Sequence, residues 1–359
     1  MTGDETLLGF VSSVSGDQYV KVEENLGDGY VRLKISEAER RQAKHDIRTL
    51  EDVIVELLRN SRDAHARRIF IANSREGDTR TLTVIDDGIG VPPEMHDRVF
   101  EPRVTTKLET MVMDRWGVHG RGMALFSVRS NVVDAHVAAS ELHKGCSIAI
   151  VTDTTQLPEK ADQSKWPTVE TDEESGRLKV GTGPHNVVRR VVEFAVEHPE
   201  LELYLGTPTD VLATLLGSAR ECLDARQLLF CDEPSQLPVW QRPAIAADAA
   251  ELVAIAASIG LAISERTAHR ALAGELSALD SVLRQVAPAL EPPEPKRPDI
   301  YRDRRGLRVH HGDVREFQRR CEDAFDLLGE RYYLHLSGEP KVTIGRDSIV
   351  VRFPVEKDD

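Results

Sequence analysis

Several features that quickly assign a protein to a class are scarce in this sequence. It has four cysteines, with neither CxxC spacing nor a metal-site pattern, which predicts free thiols in a reducing compartment. No apolar run approaches the length of about 18 residues that a membrane span requires, so we expect no membrane segment. The N-terminus is acidic and leads into no apolar core of signal-peptide length, and we therefore expect a cytoplasmic protein.

An excess of basic charge is also missing. The formal net charge is −14, from 46 basic and 60 acidic residues. That balance argues against a protein coated for non-specific nucleic-acid binding, although a local basic patch is compatible with it. The content of 40% hydrophobic and 30% charged residues is typical of a globular chain. The length of 359 residues predicts two or three domains, and no internal repeat is visible.

The stretch from Glu51 to Val128 contains three segments on which the functional interpretation depends. The first is a predicted helix over residues 50–64, whose apolar side chains recur at helical spacing. Glu56, Asn60 and Asp63 are four and three residues apart, so they share a neighbouring stripe of that helix. A polar stripe alone is most often a solvated helix face, and it gains weight only from the other two segments.

The second segment is a predicted strand over residues 81–85 that runs directly into Asp86-Asp87-Gly88-Ile89-Gly90. An Asp-Gly pair after a strand usually marks a hairpin turn. A carboxylate at Asp86 can instead accept a hydrogen bond from a bound group. Gly88 and Gly90 have no Cβ, so the backbone there can approach a ligand and turn sharply.

The third segment has G-x-x-G-x-G spacing, in Gly117-Val118-His119-Gly120-Arg121-Gly122, and opens onto an apolar helix predicted over residues 123–133. A glycine-rich turn at a helix N-terminus offers unpaired N–H groups and the positive end of the helix dipole to an anion. Residues 92–115 lie between the second and third segments and are predicted to form a lid. Within this lid Thr105, Thr106 and Lys107 either meet phosphate or form an ordinary exposed loop.

The three segments, in this order, resemble the boxes of the GHKL ATPases (gyrase, the heat-shock chaperone family, histidine kinases and MutL). The first matches E-x-x-x-N-S-x-D-A, in Glu56-Leu57-Leu58-Arg59-Asn60-Ser61-Arg62-Asp63-Ala64. The resemblance implies an α+β chain whose N-terminal ATPase domain, at 1–205, has the Bergerat two-layer α/β sandwich with a polar excursion at 153–184. The helix and strand that close this domain are similar, more loosely, to those of the topoisomerase VI B subunit.

The resemblance also implies ATP and Mg²⁺ as cofactors. Asp86 would recognise adenine, Asn60 would hold the magnesium ion, and Glu56 would act as general base toward the attacking water. Asp63 would support the box through hydrogen bonds. The other nucleotide-binding candidates come from the glycine boxes and the lid: Gly88, Gly90, Thr105, Thr106, Lys107, Gly117, Gly120, Arg121, Gly122 and Met123.

The rest of the chain is predicted to form three parts. These are a helical region at 206–287, a Pro-rich linker at 288–298 and a small α+β domain at 299–359. The helical region has helix-turn-helix-like spacing around Gly260. DNA is therefore one candidate partner, although a recognition helix usually carries more basic residues than Arg266 and Arg270.

The first functional hypothesis is a magnesium-dependent ATPase whose nucleotide-driven closure or dimerisation acts on a partner, in DNA transactions. The partner would be another protein or a second copy of the chain. The alternatives are a divergent histidine kinase and a non-hydrolysing, ATP-bound regulatory or DNA-binding module. Glu56 favours hydrolysis, because histidine kinases generally carry asparagine or another non-basic residue at that position. Residues 100–125, by contrast, resemble histidine kinases more than topoisomerases. We expect no complete topoisomerase, since no DNA-cleaving tyrosine domain and no Gln-Thr-Lys switch are evident.

Overall fold

A computed structural model describes residues 22–106, 112–114, 117–119, 122–160, 162–172, 178–223, 231, 233–286, 311–344 and 348–357. The chain divides into two compact units, Met1–Leu290 and Glu291–Asp359. The strands of the first unit are β1 (Val22–Gly27), β2 (Tyr30–Leu33), β3 (Arg68–Glu76), β4 (Thr79–Asp86), β5 (Val104–Thr105), β6 (Val112–Asp114), β7 (Gly117–His119), β8 (Asp134–Ser140), β9 (Cys146–Asp153), β10 (Val169–Thr171), β11 (Leu178–Val180) and β12 (Glu202–Gly206). Among the described residues of this unit, the α-helices are α1 (Glu37–Asp46), α2 (Leu50–Asp63), α3 (Ala124–Asn131), α4 (Val187–Glu197), α5 (Pro208–Cys222), α6 (Ala249–Ser258), α7 (Glu265–Leu272) and α8 (Val282–Val286).

The central element is a five-stranded sheet in the order β12-β3-β4-β9-β8. β12 is parallel to β3, and the other neighbours are antiparallel. The register pairs Asp86, the last residue of β4, with Ile69 at the start of β3 and with Cys146 at the start of β9. The sheet therefore brings the predicted adenine-binding acid to one end of three adjacent strands.

Helices cover both faces of this sheet. Successive residues of a strand point to opposite faces, and on β3 Ile69 and Ile71 enter one buried cluster while Phe70 and Ala72 enter another. The first cluster is completed by α2, α3 and α4, and the second by α5, α6, α7 and a 3-10 helix at Val239–Ile245. The α+β class is confirmed, and the sheet with its first helical layer forms the expected sandwich.

Helix α2 packs its apolar stripe into the first cluster. Its N-terminus is fixed by Asp52, whose carboxylate accepts hydrogen bonds from the Thr49 N–H (2.9 Å) and hydroxyl (3.1 Å). Five side chains along it are almost completely buried, and each such burial contributes roughly 1.5–3 kcal/mol. They are Leu50, Val53, Ile54, Leu57 and Leu58.

The helical region predicted after residue 205 packs on the second face of the sheet. The hydroxyl of Thr83 on β4 donates to the Gly260 carbonyl (2.8 Å), and that of Ser147 on β9 donates to the Ile259 carbonyl (2.8 Å). Gly260 has φ +79, and a Cβ there would lie 3.2 Å from Ala149 and Thr83. The turn of the helix-turn-helix-like segment thus lies against the sheet, and residues 208–223 and 233–272 add a third layer. The boundary proposed at residue 205 stays a prediction.

The polar excursion at 153–184 is tied to the domain in its described parts. Leu157 is buried in the first cluster. Glu159 forms ion pairs with Arg80 (2.8 Å) and Arg75 (2.6 Å). β10 and β11 make a small antiparallel hairpin, while residues 161 and 173–177 lie outside the described residues.

A second small sheet anchors the beginning of the predicted lid. β1 and β2 form a hairpin, and β5 adds to it by pairing Thr105 with Val31. Met95, Val99 and Phe100 are buried in the first cluster, so this part of the lid belongs to the core. Of the remainder, residues 107–111 and 115–116 lie outside the described residues.

The second unit is described by itself. It contains helix α9 (His311–Tyr332) and strands β13 (Leu334–Leu336), β14 (Lys341–Ile344), β15 (Ile349–Arg352) and β16 (Val355–Lys357). β13 pairs with β16 and β14 with β15, both antiparallel. Phe325 of α9 stacks on Phe353 with ring centroids 5.3 Å apart, so the unit is α+β as expected. The predicted linker at 288–298 lies outside the described residues. None of the helices in the described part of the chain has the length and apolar composition that a membrane crossing requires.

Candidate functional site

The carboxylate of Asp86 lies at the end of β4 and is 5% exposed. The Ser61 hydroxyl of α2 donates to its Oδ2 (2.7 Å), and the Gly88 N–H donates to its Oδ1 (3.0 Å). Burial raises the pKa of Asp86 to about 6, against the opposing effect of those two hydrogen bonds. An ionised carboxylate has about four acceptor sites. Asp86 therefore retains the capacity to accept a further donor.

The adjacent acid, Asp87, has a different environment. Its Oδ1 accepts the backbone N–H groups of Arg67 (2.6 Å) and Arg68 (2.9 Å). These bonds fasten the chain entering β3 to the loop that leaves β4. Asp87 thus stabilises the turn, whereas Asp86 faces inward with acceptor capacity left over.

The two glycines of the second box are tightly enclosed by protein backbone. A Cβ on Gly88 would lie 2.7 Å from the Ala64 carbonyl oxygen at the end of α2. Gly90 has φ +79, and a Cβ there would lie 2.1 Å from the Glu141 carbonyl oxygen in the β8–β9 turn. The Ile89 N–H donates to the Ala64 carbonyl (2.9 Å). In this structure, the close approach that requires glycine is to α2 and to this turn.

The three polar residues of α2 have different surroundings. Glu56 forms an ion pair with the buried Arg59 (2.5 Å), and Asp63 forms one with Arg62 (2.9 Å). The side-chain Nδ2 of Asn60 is buried and has no hydrogen-bond partner among the described residues. Since the O and N atoms of an amide are assigned from their partners, the Asn60 amide is a polar group that a bound ligand would complete.

Two predicted phosphate-binding segments are adjacent in space. The Arg103 N–H donates to the Gly122 carbonyl (2.7 Å). Gly122 has φ +66, and a Cβ there would lie 2.9 Å from the Val104 carbonyl oxygen and 3.1 Å from the Thr105 Cβ. Thr105 is buried and Thr106 is exposed. The structure therefore brings the lid residue Thr105 against the end of the third box.

The remaining residues of the third box are only partly described. Gly117 opens β7 and pairs with Asp114. Met123 precedes α3, and its carbonyl accepts hydrogen bonds from the N–H (2.8 Å) and hydroxyl (2.9 Å) of Ser127. Three of the predicted site residues lie outside the described residues; they are Lys107, Gly120 and Arg121. Their contact with phosphate stays a prediction.

The sequence argument missed Ser61, the hydroxyl donor to Asp86. A signal for it exists, because Ser61 lies seven residues after Ile54 and four after Leu57. These positions make up the apolar stripe of α2. A polar side chain on such a stripe needs a buried partner, and Asp86 is that partner.

The described residues fit a nucleotide with its metal. Among them, no group of three or more His, Cys, Asp or Glu side chains could hold a metal ion. Mg²⁺ usually takes one or two protein ligands and completes its shell with water and substrate phosphates. The incompletely partnered Asn60 amide suits that arrangement, and the Asp86 carboxylate suits an amino group.

The region that contains these residues is similar to known proteins. Residues 45–156 match the family described as histidine kinase-, DNA gyrase B- and HSP90-like ATPase. DNA mismatch repair protein MutL of Thermus thermophilus is 29% identical over 188 residues, 51% of this chain and 33% of that protein. MutL of Aquifex pyrophilus is 39% identical over 83 residues, 22% of this chain and 19% of that protein.

A solved structure described as the N terminal domain of a DNA repair protein is 20% identical, with a TM-score of 0.25 over 34% of this chain and 41% of that one. That likeness is too slight to support a conclusion. The chain matches at most about a third of the length of these MutL proteins. All three boxes lie in order within residues 45–156, the range that the family match covers, so this part of the chain holds a domain of the GHKL ATPase type.

Proposed function

We propose that this chain binds ATP with Mg²⁺ and hydrolyses it. The observation that carries the proposal is the buried Asp86 carboxylate, held by Ser61 and the Gly88 N–H with acceptor capacity remaining. The exocyclic amino group of adenine is a donor of the required kind. Guanine presents a carbonyl oxygen at that position, and a buried carboxylate would repel it.

The polar residues of α2 would act at the triphosphate end. Asn60 would hold Mg²⁺, which, when bound, neutralises charge on the phosphate oxygens. Glu56 would orient the attacking water and accept its proton, and its ion pair with Arg59 fixes the carboxylate on the helix. Backbone N–H groups around Gly120 and Gly122 would bind phosphate oxygens, aided by Thr105, Thr106 and Lys107.

The output is proposed to be nucleotide-dependent closure or dimerisation that acts on a partner. The matched relatives are named as DNA mismatch repair proteins, so a DNA transaction is our proposal for the process. Arg266 and Arg270 of α7 are exposed, although Arg270 already pairs with Glu275 (3.3 Å). A protein partner or a second copy is therefore favoured over direct DNA binding by α7, and the cytoplasm stays our prediction for the compartment.

The test uses γ-labelled ATP, Mg²⁺ and two variants. Glu56→Ala should retain ATP binding and lose turnover by roughly 10²–10⁴-fold, as loss of a general base does. Asn60→Ala should lose the magnesium-dependent part of binding. Glu76→Ala, a change at an exposed acid on β3, is the matched control and should behave like the parent.

The same assay distinguishes the alternatives. Acid-labile label on the protein, with little free phosphate, would support the histidine kinase. Tight ATP binding with neither free phosphate nor labelled protein would support the regulatory module. Full turnover by Glu56→Ala would contradict the proposed general base.

A further inference from the structure

A second cavity lies at the opposite end of α2 from Asp86. It has a volume of about 440 Å³ and is lined by Thr49, Glu51, Lys160, Pro184, His185 and Arg190. Glu51 and Ser61 are ten residues apart on α2, which corresponds to roughly 15 Å along the helix axis. The volume is within the range of small-ligand sites, about 300–1,000 Å³. This cavity is distinct from the nucleotide cleft.

One residue that lines the cavity, Glu51, has a carboxylate that is not fully satisfied. Glu51 is 2% exposed. Its Oε1 accepts the Lys160 N–H (3.1 Å) and the Gln163 side-chain amide (2.6 Å). Its Oε2 is buried and has no hydrogen-bond partner among the described residues. A buried carboxylate oxygen without a donor is costly, so this atom indicates a ligand that brings a hydrogen-bond donor.

The surrounding charges favour an anion. Lys160, His185 and Arg190 all line the cavity. Arg190 pairs with Glu193 (2.9 Å), whereas Lys160 and His185 form no ion pair within the described part of the chain. Thr49, which lines the cavity, is the N-cap of α2, and His185 directly precedes Asn186, the N-cap of α4; helix N-termini are positive. Metal cations and simple ammonium ions are disfavoured by this arrangement.

The ligand must therefore be an anion that still carries a proton. We propose that Glu51, Lys160, His185 and Arg190 form a binding site for a protonated phosphate group, either inorganic phosphate or a phosphomonoester. Its P–OH donates to Glu51 Oε2, and its other oxygens accept from the basic side chains. Sulfate has the same shape but carries no proton at neutral pH, so the carboxylate repels it.

In the experiment, the full chain is titrated with inorganic phosphate and with sulfate at matched ionic strength and pH 6.5, and calorimetry measures the binding of each. Phosphate should bind at least about tenfold more tightly than sulfate, since a charge-assisted hydrogen bond replaces a repulsion. Glu51→Gln should bring the ratio of phosphate affinity to sulfate affinity to about one or below, because the glutamine amide can donate a hydrogen bond to sulfate. Lys160→Ala should weaken phosphate binding about tenfold. The control Lys341→Ala, at an exposed lysine of the second unit, should leave phosphate affinity unchanged.

Glycerol phosphate tested in parallel separates the two sources of the phosphate group. Tighter binding than inorganic phosphate assigns the site to a monoester, and weaker binding assigns it to the free ion. Phosphate held at the glycine turn of the nucleotide cleft would not respond to Glu51→Gln, so the two sites are distinguishable.

The inference is overturned if phosphate and sulfate bind equally to the parent, or if neither binds. It is also overturned if folded Glu51→Gln and Lys160→Ala variants, checked by circular dichroism, both retain the parent's preference. Because Lys160 is exposed, its variant keeps the test informative even if Glu51→Gln folds poorly.

Discussion

Two neighbouring acids have opposite effects on the stability of the fold. Asp87 stabilises it through two backbone N–H groups. Asp86 is buried, and its pKa is raised from 3.8 to about 6. The unfolded chain therefore loses this proton at lower pH than the folded chain. The resulting destabilisation grows between pH 3.8 and about 6 and is complete above that range, where it amounts to ~3 kcal/mol.

This cost predicts a separation of stability from function at Asp86. Asp86→Asn should raise the free energy of unfolding at pH 7.5 by up to ~3 kcal/mol, because the charge is removed while the amide can still pair with Ser61 and the Gly88 N–H. ATP affinity should fall sharply. Urea unfolding and calorimetry with ATP measure the two effects. Asp87→Ala is the control and should be destabilised by roughly 1–3 kcal/mol, whereas unchanged ATP binding by Asp86→Asn would contradict the adenine assignment.

ATP affinity should also depend on pH through Asp86. A donor from adenine stabilises the ionised carboxylate, so the pKa of Asp86 should be lower in the complex than in the free protein. The association constant for ATP should therefore rise by at most about tenfold per pH unit up to about pH 6 and level off above it. Calorimetry from pH 5 to 8 checks this. The Asp86→Asn variant should give no step near pH 6, and a parent profile flat across that range would count against the assignment.

At the level of elements, the sequence located the main pieces because their signals are local. Helix α2 was predicted over 50–64 and is found at Leu50–Asp63, since its apolar spacing and the Thr49–Asp52 contact lie within a few residues. β4 was predicted over 81–85 and is found at Thr79–Asp86 for the same reason. Pairing between distant segments was not foreseen. β5 joins β2 through Thr105 and Val31, more than seventy residues apart, and no local periodicity records such a contact.

The β8–β9 turn has no room for an added methyl group at Gly145. Gly145 has φ +81, and a Cβ there would lie 2.1 Å from the Asp86 carbonyl oxygen. Gly77, in the β3–β4 turn, has φ +59 and nothing within 4 Å. Gly77→Ala should cost only the left-handed backbone strain, about 1–2 kcal/mol. Gly145→Ala should cost at least ~2 kcal/mol more, because the backbone at Asp86 must move, and should weaken ATP binding.

Urea unfolding and ATP calorimetry on both glycine variants measure this difference. Since the two substitutions share the same chemistry and a positive φ, the difference isolates the contact with Asp86. Equal destabilisation of the two variants would mean that the turn can shift without disturbing the end of β4.

At the scale of the whole molecule, a signal for the third layer was present in the sequence. Ile69-Phe70-Ile71-Ala72 is an uninterrupted apolar run, which is typical of a strand buried on both faces rather than on one. The two-layer interpretation would leave Phe70 facing solvent. In the structure Phe70 stacks between Tyr204 (5.0 Å) and Trp240 (6.3 Å). Which later segment covers that face could not be predicted, because the contact joins segments that are far apart in the sequence and leaves no local pattern.

The third layer also contacts the turn that encloses the second glycine box. Glu141, whose carbonyl encloses Gly90, forms ion pairs with Lys144 (2.6 Å) and with Arg242 of the 3-10 helix (2.8 Å). Those two cations, Lys144 chiefly, lower the pKa of Glu141. The β8–β9 turn is thereby held on one side by the helical region and on the other by the second glycine box. The helical region is thus built into the wall of the ATPase domain.

This integration predicts the result of truncation. A chain ending at residue 206 would expose the second cluster, including Phe70 and Ile85, and leave the Thr83 and Ser147 hydroxyls without their partners on the Gly260 turn. A continuous apolar sheet face of that kind promotes association. The 1–206 protein should aggregate or bind ATP poorly, whereas 1–286 should melt within a few degrees of the first transition of the full chain. Size-exclusion chromatography and ATP calorimetry compare them. A monomeric 1–206 protein with the parent's ATP affinity would mean that the helices are a separable addition and that the sheet needs only one layer.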